Sequence, residues 1–294
     1  MSDVYRLGAS MYVPADSPHL QATFSGDKYP AVRSLIVCTE DAVLPGRVNA
    51  ALAALADALR RLPGRGTGPM RFVRCRNPEV LEQILTLDGI EHVDGFVLPK
   101  ADESNLPRYE TLLGEQDFYV MPTLETIGVF DAQWQSDMCR YLRHSRLSER
   151  VLALRIGGND LLKHLGLRRL RGVTSYDTPL GALISQLVLA FRPHGFHLSA
   201  PVYDYFDDPV TLRREVLQDV RMGLIGKTAI HPSQATIIEE GLRVSREDRH
   251  AAELILGSRG QEAAVFKHGG AMHETIVHQS WAQQTLARAS AGGS

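Results

Sequence analysis

Eight short apolar runs recur along the chain, each followed by a longer amphipathic stretch, and this alternation limits what the chain can fold into. The runs occupy residues 11–14, 34–39, 71–76, 95–99, 118–124, 151–156, 196–202 and 223–230. Their apolar content, with Gly or Pro at many ends, fits strands buried on both faces of a parallel sheet. Helices with readable starts lie between them. Thr178 and Pro179 open a stripe of Leu180, Leu183, Ile184, Leu187, Val188 and Phe191, which stops near Pro193 and Gly195. Asn77-Pro78 and Asp208-Pro209 open two more, and Ser245 with Asp248 reads as a capping box.

Eight strands alternating with helices in 294 residues predict an α/β (β/α)8 TIM barrel, a fold that typically takes roughly 250 residues. A doubly wound open sheet is the competitor, because strand order is not visible in a sequence. No GxGxxG follows the first run, which removes the usual dinucleotide reading and favours the barrel. The barrel is expected to fill residues 1–257. Residues 258–294 are expected to form a C-terminal helical extension, with a helix over 272–289 packing on a neighbouring subunit.

Composition narrows the function classes. A formal net charge of −2 gives no positive field for nucleic acid and no hint of binding at a membrane surface. No apolar run approaches the ~20 residues that cross a bilayer. Cys38, Cys75 and Cys139 form no CxxC pair, so neither a zinc knuckle nor a disulfide framework is indicated. The first residues lack a cationic segment followed by an apolar one, and a reduced, cytoplasmic location is expected.

In a barrel, chemistry sits at the C-terminal strand ends. Glu125 ends the run YVMPTLE, and Asp160 follows LALRIGGN on the next strand. Neighbouring strands are ~4.8 Å apart, so the two carboxylates can converge above the mouth, and two hard oxygens with open positions suit Mg²⁺. Each acid alone reads more readily as a helix cap, and only the pair at matching places on adjacent strands brings the two readings level. Arg74 and Arg76 alternate with Val73 and Cys75, which places both on one face of the third strand. They read as anion binders or as partners of Glu40 and Asp41 on the second strand, because an unpaired buried charge costs several kcal/mol. His231 and Pro232, in the eighth-strand run GKTAIHPSQ, fit an anion site or a plain strand-to-helix turn. Cys38 reads as a small buried residue rather than a nucleophile, and 168–171 (RRLR) as a solvated loop. His273 and His278 have no partner spacing that makes a metal site.

Seven pieces in order then resemble the citrate lyase beta-subunit-like group of the HpcH/HpaI aldolase superfamily. They are Met11-Tyr12-Val13-Pro14, Thr39-Glu40-Asp41-Ala42-Val43, Val73-Arg74, Val97-Leu98-Pro99-Lys100, Pro122-Thr123-Leu124-Glu125-Thr126, Gly157-Gly158-Asn159-Asp160-Leu161 and the run Gly226 to Gln234. The resemblance implies a Mg²⁺-dependent lyase or aldolase that makes or breaks a carbon–carbon bond beside a carboxylate. The substrate would be a 2-hydroxy or 2-oxo acid, commonly a CoA thioester. It also implies Glu125 and Asp160 as metal ligands, Arg74 as substrate arginine, and Gly158 and Asn159 as substrate contacts beside Arg76. Glu40, Asp41 and Glu274 become candidate catalytic acids. Glu274 would reach the site from another subunit of a trimer or hexamer.

Two departures stand out. Relatives carry Arg-Ser where this chain has Gly8-Ala9, and Asp-Leu-Glu-Asp where it has Cys38-Thr39-Glu40-Asp41. They leave open two other readings: a lyase acting on a free, non-CoA acid in a specialised biosynthetic pathway, or a non-catalytic protein that retains the fold.

Overall fold

A computed structural model describes residues 3–257 and 265–292. Eight parallel strands form one sheet: β1 (Ala9–Pro14), β2 (Ser34–Cys38), β3 (Met70–Arg74), β4 (Gly95–Leu98), β5 (Tyr119–Leu124), β6 (Leu154–Ile156), β7 (Leu198–Ser199) and β8 (Lys227–Ala229). They pair in chain order from β1 to β7, and β8 pairs with β1. A parallel bridge between Ala200 and Lys227 joins the end of β7 to β8 and closes the cylinder. Sequential order with the last strand beside the first is a barrel, so the open-sheet alternative falls. The last three strands are shorter than the apolar runs that announce them. A run marks burial, whereas a strand requires ladder partners, and residues flanking β6 to β8 are buried without them.

The helices follow the strands in turn: α1 (Leu20–Phe24), α2 (Val48–Leu59), α3 (Pro78–Ile84), α4 (Leu106–Leu113), α5 (Ala132–His144), α6 (Gly158–His164), α7 (Pro179–Phe191), α8 (Pro209–Arg221), α9 (Pro232–Leu242), α10 (Arg246–Gly257) and α11 (Gln279–Ala291). None is long and apolar enough among the described residues to cross a membrane. The expected starts hold for physical reasons. Asn77 accepts a hydrogen bond from Val80 N at 2.9 Å, and Asp208 accepts one from Thr211 N at 3.1 Å, each with Pro at the first helical turn. Asp248 N donates to Ser245 Oγ at 2.9 Å.

Period-two alternation divides the apolar residues into two cores. Val13, Val37, Val73 and Phe96 face the helices, whereas Ile36, Phe72, Val97 and Met121 point into the cylinder and fill it above its N-terminal floor. Each such buried side chain contributes roughly 1.5–3 kcal/mol. The wall between β8 and α8 also holds charge. Lys227 Nζ donates to Glu215 at 2.7 Å and to Asp219 at 2.9 Å, and Arg169 grips both Glu215 oxygens at 2.9 and 2.6 Å. Tyr176 Oη and Ser175 N supply further donors to Asp219 and Glu215. Arg169 is thus buried, which corrects the reading of 168–171 as wholly solvated. The charge run hid a single inward position.

The C-terminal segment differs from its expectation. Residues 272–274 lie in a strand, because β9 (Val265–His268) and β10 (Ala271–Glu274) form an antiparallel hairpin before α11 begins. Gly269 and Gly270 both take positive φ, 58° and 79°, as a two-residue hairpin turn with strand-matching twist requires. Helix α11 packs through Ala282 on Ala252 and Ile255 of α10, and its end closes on the barrel floor, where Ala291 O accepts from Arg33.

Candidate active site at the barrel mouth

The C-terminal strand ends enclose a cleft of about 250 Å³. Tyr12, Arg74, Thr123, Glu125, Arg155, Gly158, Asn159, Asp160 and Thr228 line it, with Cys38 and Asp41 at one side. Four carboxylates (Glu40, Asp41, Glu125, Asp160) meet three cations (Arg74, Lys100, Arg155) around this opening, a formal excess of one negative charge.

Arg74, inward-facing at the end of β3, is the hub. Its Nη2 lies 2.6 Å from Glu40 Oε2, 3.0 Å from Glu125 Oε1 and 3.4 Å from Asp41 Oδ2. Its Nε is buried with no hydrogen-bond partner among the described residues. Lys100 completes the ring: its ammonium pairs with Glu40, while its backbone N donates to Glu125 Oε1 at 2.8 Å. That dual reach depends on a left-handed backbone, φ 47°, the one positive φ at a non-glycine among the described residues. Such a conformation is uncommon outside glycine and concentrates at functional sites. Burial raises the Glu40 carboxyl above its usual range, even with Arg74 beside it.

Glu125 and Asp160 fit a divalent cation. Glu125 is 2 % exposed, and Oε1 takes the hydrogen bonds from Arg74 and Lys100, whereas no described residue donates to Oε2. Burial, with Asp160 adding like-charge repulsion, pushes the Glu125 carboxyl up to about 7 although Arg74 counters it. Asp160 opens α6, half-buried, and pairs with no described cation. Gly157 permits the close approach: a Cβ there would sit 2.3 Å from Glu125 Oε2. Among the described residues no three His, Cys, Asp or Glu side chains form a closed cage. Two hard carboxylate oxygens with the remaining positions open suit Mg²⁺, which retains waters or substrate oxygens.

Other cleft residues were not anticipated. Arg155 is 2 % exposed and has no carboxylate partner among the described residues; it donates to Thr228 Oγ1 at 2.6 Å and lies over the Tyr12 ring at 5.4 Å. The period-two rule that finds Arg74 also finds Arg155, inward on β6 between Leu154 and Ile156. Thr123 Oγ1 is buried without a partner among the described residues. Both residues line the cleft.

Several expected residues lie elsewhere. Arg76 follows β3 and donates to the Thr39, Glu40 and Val43 carbonyls, at 2.6 to 3.3 Å, so it staples the loop after β2 and does not share the cleft with Arg74. The strand has ended, and the alternation that placed both arginines on one face ends with it. His231 caps α9, accepting from Ser233 N at 3.2 Å and stacking on Phe206, and Pro232 is the first helical residue. Neither lines the cleft. Glu274 lies in β10, where its backbone N donates to His278 at 3.1 Å, away from the cleft residues of its own chain. Cys38 is buried with its thiol pushed up, chiefly by burial. Gly8 precedes β1 on the floor, so that departure from the family pattern is remote from the mouth.

A family model described as C-C bond lyase of the TIM-barrel fold matches residues 1–294. The chain is 31% identical over 211 residues to a (3S)-malyl-CoA thioesterase of Cereibacter sphaeroides, covering 69% of this chain and 70% of the relative. A citrate lyase subunit beta-like protein of Deinococcus radiodurans is 26% identical over 246 residues, 80% of each. The protein CitE of Mycobacterium tuberculosis, solved with magnesium, acetoacetate and coenzyme A, superposes with a TM-score of 0.68 at 22% identity, over 97% of this chain and 99% of that one.

Proposed function

For a chain that belongs to the carbon–carbon bond lyase family of the TIM-barrel fold, we propose a Mg²⁺-assisted lyase acting on a 2-hydroxy or 2-oxo acid carried as a CoA thioester. The observation that carries this reading is the pair of uncommitted acids: Glu125 Oε2 and the Asp160 carboxylate line one cleft, beside Arg74, without cationic partners of their own among the described residues. Held by these two residues, Mg²⁺ would supply Lewis-acid stabilisation of the oxygen that gains charge as the bond breaks or forms.

The chain's own residues orient the acid. Arg74 Nε and the Arg155 guanidinium take the substrate carboxylate or the developing oxyanion, a contribution that grows in the transition state. Thr123 and Thr228 hydroxyls fix its position. Lys100 holds Glu40 and Glu125 in register through two different atoms. The hydroxyl proton, or the proton returned to the enolate carbon, is assigned to Glu274 of a neighbouring copy. Met272, Ile276, Val277 and Trp281 lie exposed around that residue, as a face that packs between subunits of a trimer or hexamer would.

A second reading, thioester hydrolysis, is favoured by the malyl-CoA thioesterase among the relatives. Cleavage of the carbon–carbon bond leaves the thioester intact and liberates an oxo acid, whereas hydrolysis frees the CoA thiol. Purified chain with Mg²⁺ and malyl-CoA, followed by a thiol reagent and by an assay for the oxo acid, separates them. Oxo acid without thiol is expected; thiol alone would replace the lyase with the hydrolase. Turnover by Asp160→Asn at the wild-type rate and with unchanged Mg²⁺ affinity would remove the metal assignment.

A further inference from the structure

At the opposite end of the barrel, a second cavity of about 260 Å³ lies between the 3–6 turn, the segment before β2, α9 and the end of α11. Tyr5, Arg33, Glu239, Arg243 and Arg288 are among its lining residues. Its acids are already engaged. Glu239 pairs with Arg33 at 3.2 Å and accepts from Ala9 N, and Glu240 pairs with Arg213 at 3.3 Å. Arg33 is also committed, donating to Tyr5 O at 2.8 Å and to Ala291 O at 2.6 Å.

Two polar groups are different. Tyr5 is 6 % exposed, and its Oη is buried with no hydrogen-bond partner among the described residues. Arg288 Nε is likewise buried and unpartnered, and no described carboxylate forms an ion pair with its guanidinium. Burial lowers the Arg288 pKa although Tyr5 and the more distant Asp248 carboxylate counter it, and burial raises that of the Tyr5 hydroxyl although Arg192 and Arg288 counter it. Arg192 stands nearby, bonded to His197 Nδ1 at 2.6 Å, and adds positive potential beside Tyr5. Native proteins rarely leave two buried donors unmade in one place, and each such case calls for a reason.

We propose that this floor cavity is a binding site for a small oxyanion, a carboxylate or a phosphate, held by the Arg288 guanidinium and the Tyr5 hydroxyl. A planar guanidinium presents paired N–H groups matched to two oxygens of such an ion, and the phenol supplies a third donor. The volume lies under the roughly 300 Å³ at the lower end of sites for drug-sized ligands, so the occupant is a small ion and not a nucleotide. An ion there links α11 to the turn that opens the chain, and so ties the C-terminal segment to the floor. The site is independent of the mouth: it shares no lining residue with the cleft.

The test uses the full chain carrying Arg74→Ala and Glu125→Gln, so that anions bound at the mouth do not contribute. Thermal unfolding and calorimetry are followed with sodium phosphate and, separately, sodium acetate, each against sodium chloride at equal ionic strength. Saturable stabilisation by either oxyanion, weakened roughly tenfold or more by Arg288→Gln and measurably by Tyr5→Phe, is expected. The arm that saturates identifies the ion. Without added oxyanion, Tyr5→Phe should melt at or slightly above the parent temperature, because it removes only an unmade hydrogen bond. Stabilisation that does not saturate, that matches chloride, or that survives Arg288→Gln overturns the proposal.

Discussion

Two charged clusters, one in the wall and one at the mouth, are built from the same residue types and resolved in opposite ways. Between β8 and α8, Lys227, Arg169, Glu215 and Asp219 are all buried, and each carboxylate is met by a cation and a further donor. At the mouth, Arg74 Nε, Glu125 Oε2 and Asp160 have no described partner, although Arg74 and Glu125 are nearly as buried. A cluster that satisfies itself holds the fold together. One that stops short of doing so is arranged for something that arrives from outside.

The largest break in this comparison is Lys227→Met. It leaves Glu215 and Asp219 buried with their main cation gone, and urea unfolding should show a loss of about 3–5 kcal/mol. The mouth should answer differently. Asp160→Asn should lower kcat/KM on the order of 10²–10³-fold, an effect of about 3–4 kcal/mol on the barrier, while leaving the melting temperature unchanged or higher.

Acid sharpens the contrast through its sign. Glu125 is raised to about 7 from an unfolded value near 4.5, so the native state binds a proton that the unfolded state releases between those values. Its ionisation therefore lowers stability as pH rises from 4.5 to 7, by about 3 kcal/mol. With a chelator present, Glu125→Gln should match wild type near pH 4.5 and exceed it increasingly toward pH 8. For Glu215, burial acts against ionisation, but Lys227 and Arg169 prevail and hold it at about 2. Its contribution is intact above pH 4.5 and is lost as pH falls toward 2. A constant difference between wild type and Glu125→Gln across the range would contradict the mouth half of the comparison. The smallest effect is expected from Thr123→Val, which deletes an unmade hydrogen bond at equal shape: stability within about 0.5 kcal/mol of wild type, with a raised KM.

The barrel was legible because apolar runs, Pro-opened helices and the total length all agreed. The mouth was half legible. Strand-end position pointed to Glu125 and Asp160, and alternation pointed to Arg74, yet the same alternation marks Arg155 and went unused. Arg76 escaped the rule because it lies past Arg74, the last residue of β3, where alternation no longer applies. Lys227 stands in a family-like motif but serves the wall, since β8 turns it outward, and no spacing reveals which face of a three-residue strand is which. The hairpin at 265–274 was legible in Gly269-Gly270, a strong turn signal that the helical reading of 272–289 passed over.

Lys100 carries one last implication. Its peptide nitrogen serves Glu125 and its amine serves Glu40. Exchange of the side chain therefore leaves the first tether in place, provided the newcomer tolerates the left-handed turn. Asparagine or glycine at this position would separate the two duties: Glu125 would keep its peptide anchor while Glu40, just past β2, would keep Arg74 as its one remaining close cation among the described residues, a built-in way for descendants of this chain to retune one acid without disturbing the other.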